Sequence, residues 1–361
     1  MKRFPLAIST ALIAITVWGC GGSEGTDGLK PLTLAPLPGQ VYVAQVEVDD
    51  SSVYVLNFIK ASQRTEPPRA TLYRTRIGEP QETATILAEG TFSRFVVGPT
   101  HVYFIEHVHV DATPNGEYRE LGSLFRVPRS GGSKELLAEG LELGYTAEPI
   151  LAGPHLYWLD SAYQPMKSVW RTSADAPGPI ERVAEVPVHS AYNLMLSETH
   201  FYWREKRTVS FAPRVVNNAL VRLDIQLEGP QEDVLTWPDE ERLVTPDAPI
   251  PMALTPIGPF AVFGKDDEPS RRLVHLPLAL HAAAQPTGIQ ELPPGAASLR
   301  FHAGSLYYVS THAQGIHRRN LEEGRVSVLL PDLRGISQLA VSDLGLFFVN
   351  AGRIQHLPHS D

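Results

Sequence analysis

An all-β fold built from seven copies of one repeat is the structure that this sequence predicts. The clearest mark of the repeat is a triplet of aromatic or aliphatic residues, which recurs at intervals of 49, 54, 45, 59, 46 and 40 residues. A second short segment follows each triplet, and its third residue is basic. Intervals of this size match a four-stranded blade, so we expect a single β-propeller.

Each repeat contains segments with the composition of β-strands, rich in Val, Leu, Tyr and Phe and separated by turn residues. The triplets are Val53-Tyr54-Val55, Val102-Tyr103-Phe104, Leu156-Tyr157-Trp158, Phe201-Tyr202-Trp203, Phe260-Ala261-Val262, Leu306-Tyr307-Tyr308 and Leu346-Phe347-Phe348. The basic residues that follow them are Arg74, Arg126, Arg171, Arg222, His275, Arg318 and His356. Helical periodicity with capping signals is absent from the body of the chain, and 28 Gly and 31 Pro suit many tight turns.

The two ends of the chain are predicted to complete one blade together. The seventh unit stops at Asp361 without a closing strand, and an unassigned apolar segment lies at residues 32–37. Pairing that segment with the C-terminal blade would close the ring and leave no open sheet edge there. We therefore expect seven four-stranded blades, with six or eight as alternatives if the degenerate fifth unit is miscounted.

The best copies of the repeat resemble a known group of propellers. They are 156–160, which reads LYWLD, and 124–132, which reads LFRVPRSGG. These motifs are similar to the repeats of YWTD and related six- to eight-bladed propellers, and to those of bacterial secreted propeller lipoproteins. The resemblance covers about residues 30–361. It implies the fold, and it implies little about function because one fold hosts many functions.

The first nineteen residues have the pattern of an export signal, with Lys2 and Arg3 before a short apolar run. The end of this run, at residues 17–20, resembles a bacterial lipobox, although Trp18 departs from its usual small residue. The resemblance implies diacylglycerol and palmitate on Cys20, the only cysteine of the chain. A cysteine lying by chance near an ordinary cleavage site is the alternative. We expect a lipoprotein signal peptide at 1–19, a tether at 20–30 and the propeller at 31–361.

The charge of the mature chain argues against two classes of partner. Loss of Lys2 and Arg3 takes the formal net charge from −9 to −11. Nucleic acid and anionic lipid surfaces both bind clusters of basic residues, so neither is expected as a partner of this acidic chain. The expected partners are membrane lipid, through Cys20, and a protein or glycan ligand on one propeller face. We expect a monomer in the bacterial cell envelope, anchored to the outer membrane.

Candidate sites are few. His107, His109 and Asp111 alternate along one predicted strand, so they would share a face and suit Zn²⁺ or another divalent ion; ordinary exposed histidines are the alternative. Trp158 and Trp203 are read as packing residues, with carbohydrate stacking as the alternative. The repeated basic residue is read as structural, with anion binding as the alternative. No motif of a catalytic site or a cofactor site is present.

The leading hypothesis for function is a non-catalytic binding or scaffold lipoprotein for a protein, peptide or glycan. Its ligand would contact long inserts at residues 60–71, 111–122, 205–218 and 224–243, because loops on a rigid scaffold usually carry function. One alternative is a hydrolase or lyase acting on envelope or extracellular carbohydrate, with acids from different blades. The other is a sensor or assembly factor in an envelope complex.

Overall fold

The computed structural model describes most of the repeat region. The described residues are 32–33, 41–59, 69–78, 84–92, 94–112, 118–143, 149–159, 166–187, 192–196, 200–211, 214–224, 232–238, 252–263, 271–275, 287–292, 296–310, 315–331, 333 and 335–359. Within these ranges every regular element is a β-strand and no helix is present. The candidate lipid site Cys20 and the predicted signal peptide and tether lie outside the described residues.

The described strands form seven four-stranded antiparallel sheets, here numbered in chain order. Sheet 1 contains β2 (Val41–Val48), β3 (Ser52–Ile59), β4 (Arg69–Arg76) and β5 (Thr85–Gly90). Sheet 2 contains β6 (Phe95–Val97), β7 (His101–Ala112), β8 (Tyr118–Pro128) and β9 (Glu135–Leu143). Sheet 3 contains β10 (Ile150–Ala152), β11 (His155–Leu159), β12 (Met166–Ser173) and β13 (Glu181–Pro187).

The remaining four sheets follow the same order. Sheet 4 contains β14 (Tyr192–Leu196), β15 (His200–Phe211), β16 (Arg214–Asp224) and β17 (Glu232–Pro238). Sheet 5 contains β18 (Met252–Thr255), β19 (Gly258–Phe263), β20 (Arg271–His275) and β21 (Thr287–Leu292). Sheet 6 contains β22 (Ala296–His302), β23 (Ser305–Ser310), β24 (Gly315–Asn320) and β25 (Val326–Pro331). Sheet 7 contains β26 (Ile336–Ser342), β27 (Gly345–Asn350), β28 (Arg353–Leu357) and β1 (Leu32–Thr33).

The sheets form a ring that both ends of the chain close. The first strands of successive sheets contact one another in turn, and β2 of sheet 1 contacts β26 of sheet 7. Strand β1 is the fourth strand of sheet 7, with Leu32 opposite His356 and Thr33 opposite Gln355. The predicted all-β propeller is confirmed, and so is pairing of the N-terminal segment with the C-terminal blade. The described part of the closing strand is residues 32–33, shorter than the expected 32–37.

Alternate residues of each triplet pack against different neighbours. In sheet 1, Tyr54 packs with Phe104 of sheet 2, whereas Val53 and Val55 pack with Phe347 of sheet 7. The same alternation places Tyr307 against sheet 7 and Tyr308 against sheet 5. Side chains of a strand point alternately to its two faces, so one triplet contributes to two interfaces. Burial of each such side chain stabilises the ring by about 1.5–3 kcal/mol.

Side chains of β2 also bond to the backbone of the next sheet. The Gln45 amide donates to the Phe95 carbonyl at 2.8 Å and accepts from the Phe95 N–H at 3.1 Å. A carboxylate oxygen of Glu47 accepts from the Val97 N–H at 3.1 Å. The side-chain amide thus pairs with β6 as a peptide group would, which satisfies backbone groups of a strand only three residues long.

The direction of the strands defines two faces of the ring. Turns from first to second strand and from third to fourth strand lie on one face, here called the turn face. Connections from second to third strand lie on the other, here called the hairpin face. Two predicted inserts, 111–122 and 205–218, are in large part strand rather than loop. They extend β7, β8, β15 and β16 to 11 or 12 residues each, as two hairpins on the hairpin face.

Candidate functional site

An aromatic residue of the second strand lies directly opposite the repeated basic residue in all seven sheets. The pairs are Tyr54 and Arg74, Tyr103 and Arg126, Tyr157 and Arg171, Tyr202 and Arg222, Phe260 and His275, Tyr307 and Arg318, and Phe347 and His356. The register corrects the fifth triplet, because Phe260 occupies the middle position and the triplet is 259–261. Tyrosine always faces arginine, and phenylalanine always faces histidine.

A third position, at the start of the second strand, varies with this pair. Where the pair is Phe and His, the residue two places before the aromatic is Gly258 or Gly345. His356 stacks on Phe347 with ring centroids 4.3 Å apart, and its Nε2 lies 2.9 Å from the Leu344 carbonyl oxygen. A Cβ on Gly345 would lie 2.9 Å from the same Nε2, and the φ of Gly345 is +134°. The same Cβ would lie 2.8 Å from the Pro358 Cα and still closer to the Leu357 carbonyl oxygen, so the backbone requires glycine here and the stacked imidazole adds to the crowding.

The other units use serine or histidine at this third position. In sheets 1 and 6 the arginine donates to serine, Arg74 to Ser52 at 3.0 Å and Arg318 to Ser305 at 3.1 Å. In sheets 2, 3 and 4 the position is His101, His155 or His200, and each ring lies 6.1–6.2 Å from the tyrosine ring. Sequence reasoning found the aromatic and basic positions but missed this third one, whose signal is its joint variation with the other two.

The contacts of the repeated arginines favour the structural interpretation. Arg126 donates to Glu135 at 2.8 Å within its sheet and to the carbonyl oxygens of Ala174, at 3.0 Å, and Asp175 in sheet 3. Arg171 donates to Glu181 at 2.8 Å. These guanidinium groups bond to protein acceptors at the junctions between strands and sheets. Anion binding by the repeated basic residue therefore has no support from this geometry.

The tryptophans of the triplets are closed to a ligand. Trp158 and Trp203 are each 1% exposed, and both rings pack in the clusters between sheets. A sugar stacks only on a ring face that it can reach. The packing interpretation is confirmed for both residues, and carbohydrate stacking on them is excluded.

A polar network joins the turn face of sheet 1 to sheet 2. Arg129 donates to the Tyr54 hydroxyl at 2.7 Å, to the Pro99 carbonyl at 2.8 Å and to the Asp49 carboxylate. Burial raises the pKa of Asp49, but hydrogen bonds from Tyr54 and Ser51 and the charge of Arg129 outweigh it, so the pKa lies below its ordinary value. Burial and the Asp49 hydrogen bond raise the pKa of Tyr54. Every member is paired, so the network holds two sheets together.

The predicted metal ligands lie on β7, and the strand is irregular there. His107 is opposite Gly122 and His109 is opposite Leu121, so one extra residue intervenes on β7. Such a bulge interrupts the strict alternation from which a shared face for His107, His109 and Asp111 was predicted. The side chains of His109 and Asp111 lie outside those described. In the described part of the chain, no group of three His, Cys, Asp or Glu residues is placed to hold a metal ion. The metal site stays a prediction.

The longest strands among those described form two hairpins, β7–β8 and β15–β16, here called the acidic hairpin and the basic hairpin. They belong to sheets 2 and 4 and lie on either side of sheet 3, whose first strand contacts the first strands of both. Residues 108–121 include three acidic residues and one arginine, whereas residues 204–218 include four basic residues and one acidic residue. Two projections of opposite charge on one face are the strongest candidate for a ligand surface.

A shallow, open groove runs along the outer edge of the ring between sheets 2 and 3. Its volume is about 380 Å³, and Leu136, Glu139, Pro177 and Ile180 are among its lining residues. Glu139 is the ionisable residue of that lining. The groove is therefore concave, but its lining lacks the pair of carboxyl groups that hydrolysis of a glycoside needs.

No family model and no curated protein matches the chain. Among solved structures, the β-propeller domain of the Trilobed protease from Pyrococcus furiosus, described as having an open velcro topology, matches with a TM-score of 0.55 and 9% identity over 89% of this chain and 99% of that one. The chain is a β-propeller. The computationally designed Ika8 protein matches with a TM-score of 0.49 and 10% identity, over 91% of this chain and 99% of that one. A chain of a nidogen/laminin complex matches with a TM-score of 0.42 and 10% identity, over 79% and 90%.

At these identities the likeness shows the fold alone. Within the described ranges, no helix is long and apolar enough to span a bilayer.

Proposed function

We propose that this propeller is a lipid-anchored, non-catalytic module that binds a protein, peptide or glycan ligand on its hairpin face. The observation that carries the proposal is the pair of hairpins that extend beyond the neighbouring strands at that face. Longer strands add backbone hydrogen bonds, so they present their tips on a more rigid support than a loop of equal length.

The charge of the hairpins supports a ligand that has both signs of charge. The acidic hairpin and the basic hairpin flank sheet 3, so one extended ligand across that sheet would meet both. Complementary charges at an interface increase the association rate and exclude partners with the opposite pattern. A polypeptide has such mixed charge, and a protein or peptide is therefore the form of ligand that we favour.

The anchor is the second part of the proposal. The segment before Cys20 has the order of a lipoprotein signal, and Cys20 is the only cysteine of the chain. An exported protein usually keeps its cysteines paired, so acylation is the better explanation of a single one. We propose that the protein is a bacterial envelope lipoprotein attached to the outer membrane. One chain forms the whole propeller, and the protein is a monomer.

Hairpin truncation tests the ligand surface. Residues 108–121 are replaced by Asn-Gly between the paired His107 and Gly122, and residues 207–217 by Asn-Gly between the paired Lys206 and Asn218. Each variant is used to capture partners from the membrane fraction of the native host. We expect partners of the full chain to be lost with either truncation and retained by the control Ile86→Ser on the outer strand β5. An unchanged set of partners in both truncations would contradict the proposal.

A further inference from the structure

The position of β1 fixes where the anchor reaches the ring. Leu32 lies opposite His356, and Thr33 lies opposite Gln355, so β1 runs antiparallel to β28. His356 in turn lies 2.9 Å from the carbonyl oxygen of Leu344, in the turn between β26 and β27. The chain therefore enters sheet 7 at the turn face and runs from there toward the hairpin face.

From this entry point we propose that the propeller lies with its turn face against the lipid surface and presents both hairpins away from it. The inference rests on the proposed lipid at Cys20 and adds the orientation of the ring. It commits the turn face to one occupant, the bilayer that holds the acyl chains of Cys20.

The length of the connecting segment favours this orientation. Leu32 lies twelve positions after Cys20, and a segment of that length spans at most about 40 Å. The 12-residue strand β7 stretches about 40 Å from the turn face to its end at Ala112. If the hairpins touched the membrane, the segment would have to be fully extended along the whole height of the ring. With the turn face down, Leu32 starts at the surface and no extension is needed.

The turn face also presents apolar side chains suited to a lipid headgroup layer. Ile257, in the turn between β18 and β19, is 55% exposed, and Leu344 is 38% exposed. They lie at the tips of first turns in sheets 5 and 7. The other large exposed apolar residues among those described are on outer strands of sheets 1, 2 and 6, namely Ile86, Leu136, Val326 and Val328. These positions are spread around the circumference, so a flat surface cannot touch them all.

Fluorescence quenching in vesicles tests the orientation. The full-length lipoprotein, acylated in a bacterial host, is placed in phosphatidylcholine vesicles that contain a lipid with a headgroup quencher. Three variants each carry one new cysteine for a thiol-reactive dye: Ile257→Cys on the turn face, Val328→Cys on an outer strand and Ala112→Cys at the end of β7. Labelling is specific, because the only native cysteine carries lipid under the proposed function.

We expect the strongest quenching at position 257, with at least a severalfold decrease from 257 to 112. Strongest quenching at 112 would show the ring inverted, strongest quenching at 328 would show it lying on its edge, and equal quenching at all three would show no fixed orientation. Each of these results overturns the inference while leaving the anchor intact. Loss of vesicle binding with no quenching at any position would overturn the anchor itself, and the orientation with it.

Discussion

Tyr54 of sheet 1 and Arg129 of sheet 2 are joined by a hydrogen bond of 2.7 Å that crosses from one blade to the next. The tyrosine belongs to the repeat, whereas Arg129 lies in the turn after β8 and has no counterpart in most units. This contact therefore adds a specific polar link to the apolar packing that all the sheets share.

Loss of Arg129 should weaken the junction of sheets 1 and 2. We expect Arg129→Ala to lower the free energy of unfolding by about 1–3 kcal/mol, because the partly buried Asp49 and the buried Tyr54 lose a charged donor. Urea denaturation measures the change. The exposed Arg353→Ala is the control, with an expected effect within about 0.5 kcal/mol. Equal effects of both substitutions would show that the network contributes nothing specific.

Replacement of Gln45 by the isosteric glutamate should lower the stability of the propeller. Gln45→Glu keeps the shape but removes the amide donor that bonds to the Phe95 carbonyl, and it buries an acid at a site only 6% exposed. We expect a loss of about 2 kcal/mol, or protonation of the new carboxyl with greater stability at low pH. The half-buried Gln338→Glu on β26 is the matched control. A similar loss in both variants would refute the peptide-like role of Gln45.

Replacement of Gly345 should be less costly when Phe347 and His356 are replaced with it. Gly345→Ser places a side chain against the Leu357 carbonyl oxygen and the His356 ring at a φ of +134°, so we expect a loss above about 2 kcal/mol in thermal unfolding. The triple change Gly345→Ser, Phe347→Tyr and His356→Arg recreates the set found in sheets 1 and 6. It should recover part of that loss, since Arg318 and Ser305 make this contact in sheet 6. No recovery would mean that the three positions vary independently.

His317 should make stability depend on pH. Burial lowers the pKa of His317, which stacks on Tyr308 at 5.1 Å. The unfolded chain, with a histidine pKa of about 6.5, then binds more protons than the folded chain below that pH. Stability from this residue is therefore complete above about pH 6.5 and falls as the pH is lowered toward the folded pKa. His317→Phe should reduce the difference in urea midpoint between pH 7.5 and pH 5.5; an unchanged difference would count against this account.

Removal of the proposed lipid site should separate anchoring from folding. Cys20→Ser is expected to release the chain from membranes and to leave its thermal midpoint nearly unchanged, because the predicted tether precedes the strands that form the ring. Membrane fractionation and circular dichroism measure the two effects. A chain that stays in the membrane fraction without the cysteine would contradict lipidation at this residue.

The fold could be predicted because the sequence pattern that encodes it is periodic. Tyr54, Tyr103 and Tyr157 recur with basic residues at matching positions, and a repeated pattern averages out local ambiguity. The fifth unit was placed one residue out of register, because Pro259-Phe260-Ala261 has small flanking residues that weaken the triplet. Closure at Leu32 was predictable from a missing strand at the other end of the chain.

The contacts between sheets were not predictable from spacing. Arg129 and Asp49 are 80 residues apart, and Gln45 and Phe95 are 50 apart, with no motif to connect them. The extended hairpins were mistaken for loops because charged residues such as Arg204 and Lys206 interrupt the apolar pattern. A strand that projects beyond its sheet buries neither face, so it lacks the alternation by which strands are recognised.

The alternation within each triplet gives the ring a direction. In sheets 1, 2, 3, 6 and 7 the described clusters place the middle aromatic against the following sheet and the flanking residues against the preceding one, so these sheets join head to tail like protomers of a cyclic oligomer. Gain or loss of one whole unit would leave every junction with the same two kinds of surface. The number of units in such a ring is then limited by the angle between neighbours, and a gene that encodes it can change in steps of one repeat without new junction chemistry.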